Sequence, residues 1–239
     1  MSARAPDICL LIHIYYPGSW KRIKEKCAPL LATARQVIVT CPHPDVIREI
    51  DWPGACVLRV PNEGKDIGGK LAAFAYYQRF VPACDYVALI HDKISPQTLH
   101  SDSWFDSLFG IFGGELFQKA LLTFDARPEV GVIGAGHFVM TNEYDKAAGR
   151  FNTTNDEMLR ALIRQYDLSS PSYDYISGTI FLARSEPYRA FFGAHPALAL
   201  RVGLEPGNVM DFEKGTYTHC WERLFCYIAS AKGLKVIGI

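Results

Sequence analysis

The chain of 239 residues has no net charge: 25 Lys and Arg balance 25 Asp and Glu. Without a global basic field it lacks the electrostatic footprint that recruits nucleic acid, so no nucleic-acid partner is expected. It has no run of about 18 or more apolar residues, so no transmembrane segment is expected. Its seven cysteines contain no CxxC pair of zinc-ligand spacing. Scattered through apolar runs, they read as buried thiols of a reducing compartment. The opening residues MSARAPD lead into a short apolar run broken by His13, too short for a secretory signal and without a cleavage site. A cytoplasmic protein is expected, with peripheral contact at the inner face of the cell membrane compatible with it. Internal repeats, low-complexity tracts and obvious linkers are also missing, and one α/β domain suits the length.

What is present is an alternation. Short Val- and Ile-rich runs at 8–15, 37–40, 56–60, 86–90, 130–133 and 176–183 read as buried strands, with a last short one at 235–239. Between them, Trp20, Ile23, Cys27, Leu30 and Leu31 fall on one helical face. Ile67, Leu71, Phe74 and Tyr77 or Gln78 do so in the next unit, whose helix is apolar on more than one side. The pattern predicts an α/β fold with a mostly parallel central sheet flanked by helices. Residues 101–124 read as two helices or a helix and a loop, 152–155 as a loop and cap, 196–208 as a surface excursion, and 217–231 as a strong helix stopped by Gly233.

Four stretches carry candidate chemistry. In "RVPNEGKDIGGKLAAF", an apolar run ends at Pro61-Asn62 and a helical pattern follows at once. In an open parallel sheet, ligands bind beyond the carboxyl ends of the strands. Gly64, Gly68 and Gly69 let backbone N–H groups approach a ligand there, with Asn62, Lys65 and Asp66 beside them. The plainer alternative is a tight turn with Asp66 as helix cap. The stretch satisfies neither the G-x-G-x-x-G nor the P-loop pattern. In "YVALIHDKIS", a buried strand ends in His91, Asp92 and Lys93, followed by Ser95. A carboxylate there can hold a metal on a diphosphate, and a lysine can neutralise phosphate. "YISGTIFLAR" places Gly178 and Thr179 in a small-residue break. "GTYTHCWERLF" puts His219, Glu222 and Arg223 on one helical face. There Glu222 and His219 could act as base and orienter, or Glu222 could be a plain surface ion-pair partner.

Together these stretches resemble one family, the rhamnan synthesis protein F family of bacterial polysaccharide assembly. "HIYYPGSWKRI" is similar to its His-x-x-Tyr-Pro segment, and "VPNEGKDIGGKLAAF" to its Asn-x-Gly-Arg-Asp-Ile segment, with Lys65 in place of arginine. "YVALIHDKIS" resembles its His-x-Lys-x-Ser strand end, and "SGTIFLAR" and "GTYTHCWERLF" its late Gly-Thr-x-Phe and His-x-x-Glu-Arg blocks. The order is kept over nearly the whole chain.

The resemblance implies a Rossmann-like GT-A-type nucleotide-sugar fold in a single domain over 1–239. Residues 1–100 would form the nucleotide-binding half and 101–239 the acceptor-side half. It implies a glycosyltransferase moving a sugar such as rhamnose from a nucleoside-diphosphate sugar to a glycan or lipid-linked glycan acceptor. Asn62, Gly64, Lys65, Asp66, Gly68, His91, Asp92, Lys93, Ser95, Gly178 and Thr179 would bind the donor. Glu222, His219 and Asp211 would be catalytic. A divalent metal, Mg or Mn, would sit at Asp92. Two departures leave the metal and the base open: the sequence has no Asp-x-Asp, and the family's Asp-Gly-Thr reads Lys214-Gly215-Thr216, with Asp211 three residues earlier. A non-catalytic nucleotide-sugar-binding or scaffolding subunit is the competing expectation. A nucleotidyltransferase is a third, but its Gly-rich signature is missing after the first strand.

Overall fold

Alternate residues of the central strands belong to two different apolar cores, which is why this sequence makes a sheet covered on both faces. In strand β1 (Ile8–His13), Cys9 and Leu11 enter one core while Ile8, Leu10 and Ile12 enter the other. Strand β4 (Tyr86–His91) divides the same way, Val87 and Leu89 against Tyr86, Ala88 and Ile90. The computed structural model describes residues 5–92, 101–141, 144–145 and 148–239.

Five further strands complete the sheet: β2 (Ala34–Cys41), β3 (Cys56–Arg59), β5 (Val130–Gly134), β10 (Phe181–Arg184) and β11 (Lys235–Gly238). Their order is β11-β5-β10-β4-β1-β2-β3. All neighbouring pairs are parallel except those of β10, which runs antiparallel to both β4 and β5. The expected mostly parallel α/β architecture is present, and one sheet draws strands from both halves of the chain. Two small antiparallel pairs lie outside it: β6 (Val139–Thr141) with β9 (Asp174–Ile176), and β7 (Tyr144–Asp145) with β8 (Arg150–Phe151).

One face is covered by α4 (Lys65–Phe80), α7 (Asp156–Gln165), α8 (Ser185–Ala194) and α10 (Tyr217–Ser230), which supply Leu71, Phe74, Leu159, Tyr188, Trp221 and Phe225 to the first core. On the other face, α1 (Ser19–Lys26), α2 (Ala28–Thr33), α5 (Ser101–Phe109) and α6 (Gly114–Ala126) bury Trp20, Leu30, Leu108 and Phe124. Short α3 (Pro44–Ile47) follows β2, and α9 (Ala197–Arg201) follows α8. Among the described residues, no helix is long and apolar enough to cross a membrane.

Several local expectations are corrected. The apolar face from Trp20 to Leu31 belongs to two helices, because the chain breaks at Cys27 ahead of Pro29, a residue tolerated only in a helix's first turn. The strand expected over 176–183 is split into β9 and β10 by a turn with positive φ at Gly178 (83°) and Thr179 (47°). The stretch 196–208 lies largely at the surface, as expected, but it is not a plain loop. It contains α9, buries Ala197 and Leu204, and is tied to the loop before α4.

Candidate functional site

The chain builds outward from β1 to β2 and β3, then returns through α4 to place β4 on the other side of β1. The strand order therefore reverses between β1 and β4. A crevice at such a switch point, beyond the carboxyl ends of the strands, is where open α/β sheets bind ligands. His13 ends β1, and His91 ends β4 directly opposite it in the parallel register. Both continue the alternation onto the face that carries α4.

The start of α4 is packed onto these strand ends by glycine. A Cβ on Gly69 would overlap the His13 ring, and one on Gly68 would overlap the carbonyl oxygen of Glu63. Gly64 is the N-cap, with φ 71°, and its side-chain space is filled by Leu204. The next residue, Lys65, also has positive φ (51°), a conformation costly for a residue with a Cβ and concentrated at functional sites. Arg201 of α9 locks this loop by donating to the carbonyls of Gly68 (3.1 Å) and Pro61 (2.8 Å) and to Glu63 Oε2 (2.8 Å). Asn62 accepts the Gly207 N–H through its carbonyl at 2.9 Å, while its buried side-chain oxygen has no hydrogen-bond partner among the described residues.

Asp66 is not the cap the plainer sequence reading made it, since the N-cap of α4 is Gly64 and carries no side-chain cap bond. Instead its Oδ2 accepts from Lys70 Nζ at 2.8 Å and from the Thr179 hydroxyl at 3.0 Å, and lies 3.4 Å from His91 Nδ1. Lys70, 0% exposed, also donates to the carbonyl (2.9 Å) and hydroxyl (2.7 Å) of Thr179 and approaches His91 Nδ1 at 3.0 Å. His13, beside them and 2% exposed, has Nδ1 3.0 Å from the Thr40 hydroxyl and Nε2 without a partner among the described residues. Burial holds its ring neutral, with pKa lowered to about 4 even though Asp66 pulls it upward.

Asp92 follows His91 but turns to the loop after β1. Its Oδ2 accepts the backbone N–H groups of Tyr15 (2.8 Å) and Tyr16 (2.6 Å), which fastens the loop after β1. Burial raises its carboxyl to about 7, although those two amides pull the other way. Such a group is poised between charged and neutral at physiological pH, which suits proton exchange or close approach to a second anion.

The third part is reached through the turn before β10. Gly178 donates its N–H to Glu222 Oε1 at 2.7 Å, and the neighbouring Thr179 holds Asp66, so one turn links the two carboxylates. Glu222 Oε2 lies 4.0 Å from Arg223 Nη1. One turn earlier on α10, His219 Nδ1 is 2.7 Å from the hydroxyl of Thr216, the helix N-cap, and its Nε2 is 3.9 Å from Asp211 Oδ1. Burial lowers the His219 pKa against the upward pull of Asp211. Asp211 is itself held: burial raises its carboxyl, but the Asn155 amide (2.7 Å to Oδ2) and His219 outweigh it and leave it below the ordinary range. Buried Asn155 also accepts the Thr216 N–H at 2.9 Å, fixing α10 to the loop before α7.

Of the residues singled out from sequence, Asn62, Gly64, Lys65, Asp66, Gly68, His91, Asp92, Gly178 and Thr179 gather around the carboxyl ends of β1, β3 and β4. Glu222, His219 and Asp211 adjoin them. Lys93 and Ser95 lie outside the described residues. Two participants were not singled out as site residues, His13 and Lys70. His13 ends an apolar strand just as His91 does, and Lys70 stands four residues after Asp66 on a helix, the spacing of an ion pair. The run from Gly64 to Lys70 also has the glycine and lysine spacing of a P-loop, with Leu71 in place of Ser or Thr. The helix starts at Lys65, however, so Lys70 lies inside it and not at the loop tip. A concavity at the opposite end of the central strands, lined by Pro6, Cys84, Asp85, Tyr86, Arg184 and Glu186, shares none of these residues. Compared with known proteins, the chain matches no family model and no curated protein, so the family resemblance rests on the ordered motifs alone.

Proposed function

We propose that the chain is a glycosyltransferase with a GT-A-type nucleotide-sugar fold. It moves a sugar, rhamnose being the one the resemblance suggests, from a nucleoside diphosphate to a glycan or lipid-linked glycan acceptor. The observation that carries this reading is the convergence at one switch point. Asp66, His91 and Asp92 arrive from consecutive strand ends, and the Gly178-Thr179 turn joins them to Glu222.

In this reading the diphosphate lies against the amino end of α4, where backbone N–H groups and the helix dipole favour an anion. Lys65 adds a positive charge there, and Asp66 accepts hydrogen bonds from donor hydroxyls. As the bond between the sugar and the diphosphate breaks, the leaving oxygen keeps the electron pair. Glu222 takes the proton of the attacking acceptor hydroxyl through Oε2, since Oε1 is engaged by Gly178. A divalent ion, when bound, would supply Lewis-acid stabilisation of the diphosphate. The described residues bring no three His, Cys, Asp or Glu side chains together for one, and Asp92 offers a single carboxylate with Oδ2 already taken. This donor set does not fit an ion held by side chains alone.

The test is release of nucleoside diphosphate from UDP- and dTDP-linked sugars by the purified protein. Release that Glu222→Gln removes supports transfer chemistry. Tight binding of nucleoside diphosphate with no release from any donor would instead support the non-catalytic subunit.

A further inference from the structure

Lys70 has no exposed surface and is ion-paired with Asp66, sited between three groups that come from three different parts of the chain. An ammonium has three N–H donors and no acceptor. Here those donors face four acceptor atoms: Asp66 Oδ2, the carbonyl and hydroxyl of Thr179, and His91 Nδ1, all within 3.0 Å. With its protons engaged and its surface covered, Lys70 is not placed to touch a ligand. Its effect has to pass through its neighbours.

Two effects follow from the geometry. An ammonium 3.0 Å from His91 Nδ1 repels an N–H and attracts a lone pair there, so it favours the ring proton on Nε2. The same ammonium draws Asp66 Oδ2 toward β4 and Thr179 and compensates its charge. We propose that Lys70 is a positioning residue that sets the Nε2–H form of His91 and the orientation of the Asp66 carboxylate, so that the crevice recognises the hydroxyl and phosphate oxygens of a nucleoside-diphosphate sugar. The choice of ligand rests on the function proposed above; the effect on His91 and Asp66 does not.

The experiment compares wild type, Lys70→Met, Asp66→Asn and the double variant, with folding checked by circular dichroism. The double variant removes both charges together, so it leaves no buried charge uncompensated if Lys70→Met alone fails to fold. Long-range proton–nitrogen spectra at fixed pH, assigned with His91→Gln, report which nitrogen of His91 carries the proton. The expected result is Nε2–H in wild type and a shift toward Nδ1–H once Lys70 is replaced. An Nδ1–H form in wild type, or the same form in all variants, overturns the proposal. Titration with UDP and dTDP gives the second readout. Each single variant should bind about tenfold more weakly, and the double no more weakly than the worse single, because Lys70 acts through Asp66. Independent losses that multiply to about a hundredfold, or no loss in Lys70→Met, contradict it. If wild type binds neither nucleotide, the functional reading falls while the spectra still decide the role of Lys70.

Discussion

The backbone N–H of Gly178 donates to Oε1 of Glu222 at 2.7 Å. Fixing one oxygen of a carboxylate this way orients the other, and Oε2 meets Arg223 only at 4.0 Å. The bond also requires the tight turn at Gly178, whose φ of 83° disfavours a residue with a side chain.

Glu222→Gln keeps an oxygen for the Gly178 N–H and removes the basic carboxylate. Its melting temperature should stay within a few degrees of wild type, while turnover falls by about 10²–10⁴. Near-full turnover in this variant would assign Glu222 a structural role and move the search for the base to Asp211.

Gly69→Ala and Gly68→Ala test how closely α4 must approach the strand ends. The added methyl would overlap the His13 ring in the first and the Glu63 carbonyl in the second. Each should cost about 1–3 kcal/mol by overpacking, read as a lower urea midpoint. Gly114→Ala, where a Cβ meets nothing, is the control. Equal stability for all three variants would mean that the close approach is not needed.

Asp92 and His13 should give stability opposite slopes with pH. Asp92 has a folded pKa of about 7 against an ordinary 3.8, so the folded state holds the proton more tightly and stability falls as pH rises from about 4 to 7. His13 has a folded pKa of about 4 against 6.5, so its stabilising contribution is full above 6.5 and is lost as pH falls through that window. Asp92→Asn should therefore leave a profile that rises from pH 4 to 6.5, and His13→Gln one that declines over the same range. Denaturant titrations at several pH values check this, and identical profiles for both variants would count against it.

Much of the architecture was legible. Short Val- and Ile-rich runs at 8–15 and 86–90 marked buried strands, seen as Ile8–His13 and Tyr86–His91, and His91 stood at the abrupt end of one of them. What escaped depended on tertiary contact. Lys70 sits in an apparently apolar helix, and only the fold shows that its charge meets Asp66, His91 and Thr179. Helix α9 escaped because the short segment before it carries Pro196, and its worth lies in Arg201 reaching Gly68 and Glu63, which no local pattern encodes. Helix α7 hid in a polar stretch whose apolar residues, Leu159, Leu162 and Ile163, occupy one narrow face. The break at Gly178-Thr179 was noticed as a composition change, but its positive-φ turn and antiparallel continuation were not.

The Glu205 side chain offers a test of the α10 cap alone, since its bonds go to that helix while the residue's backbone carbonyl holds the Gly64 N–H. Its carboxylate accepts the N–H groups of Tyr217 (2.7 Å) and Thr218 (3.0 Å) and the Thr218 hydroxyl, closing the amino end of α10. Glu205→Ala should cost about 1 kcal/mol, the usual scale of a lost helix cap. Nucleotide affinity should change little once the folded fraction is taken into account. A selective loss of affinity would instead draw the loop at 205–207 into the binding surface.

In the proposed function a nucleoside-diphosphate sugar binds where Asp66 and His91 meet at the switch point. Calorimetric titration of wild type and Asp66→Asn with UDP, dTDP and their sugar conjugates tests it most directly. The expected result is saturable binding of at least one of these to wild type, and an affinity at least about tenfold lower in a folded Asp66→Asn protein, a difference of about 1.4 kcal/mol. No binding of any of these ligands to wild type, or equal binding to both proteins, would contradict it.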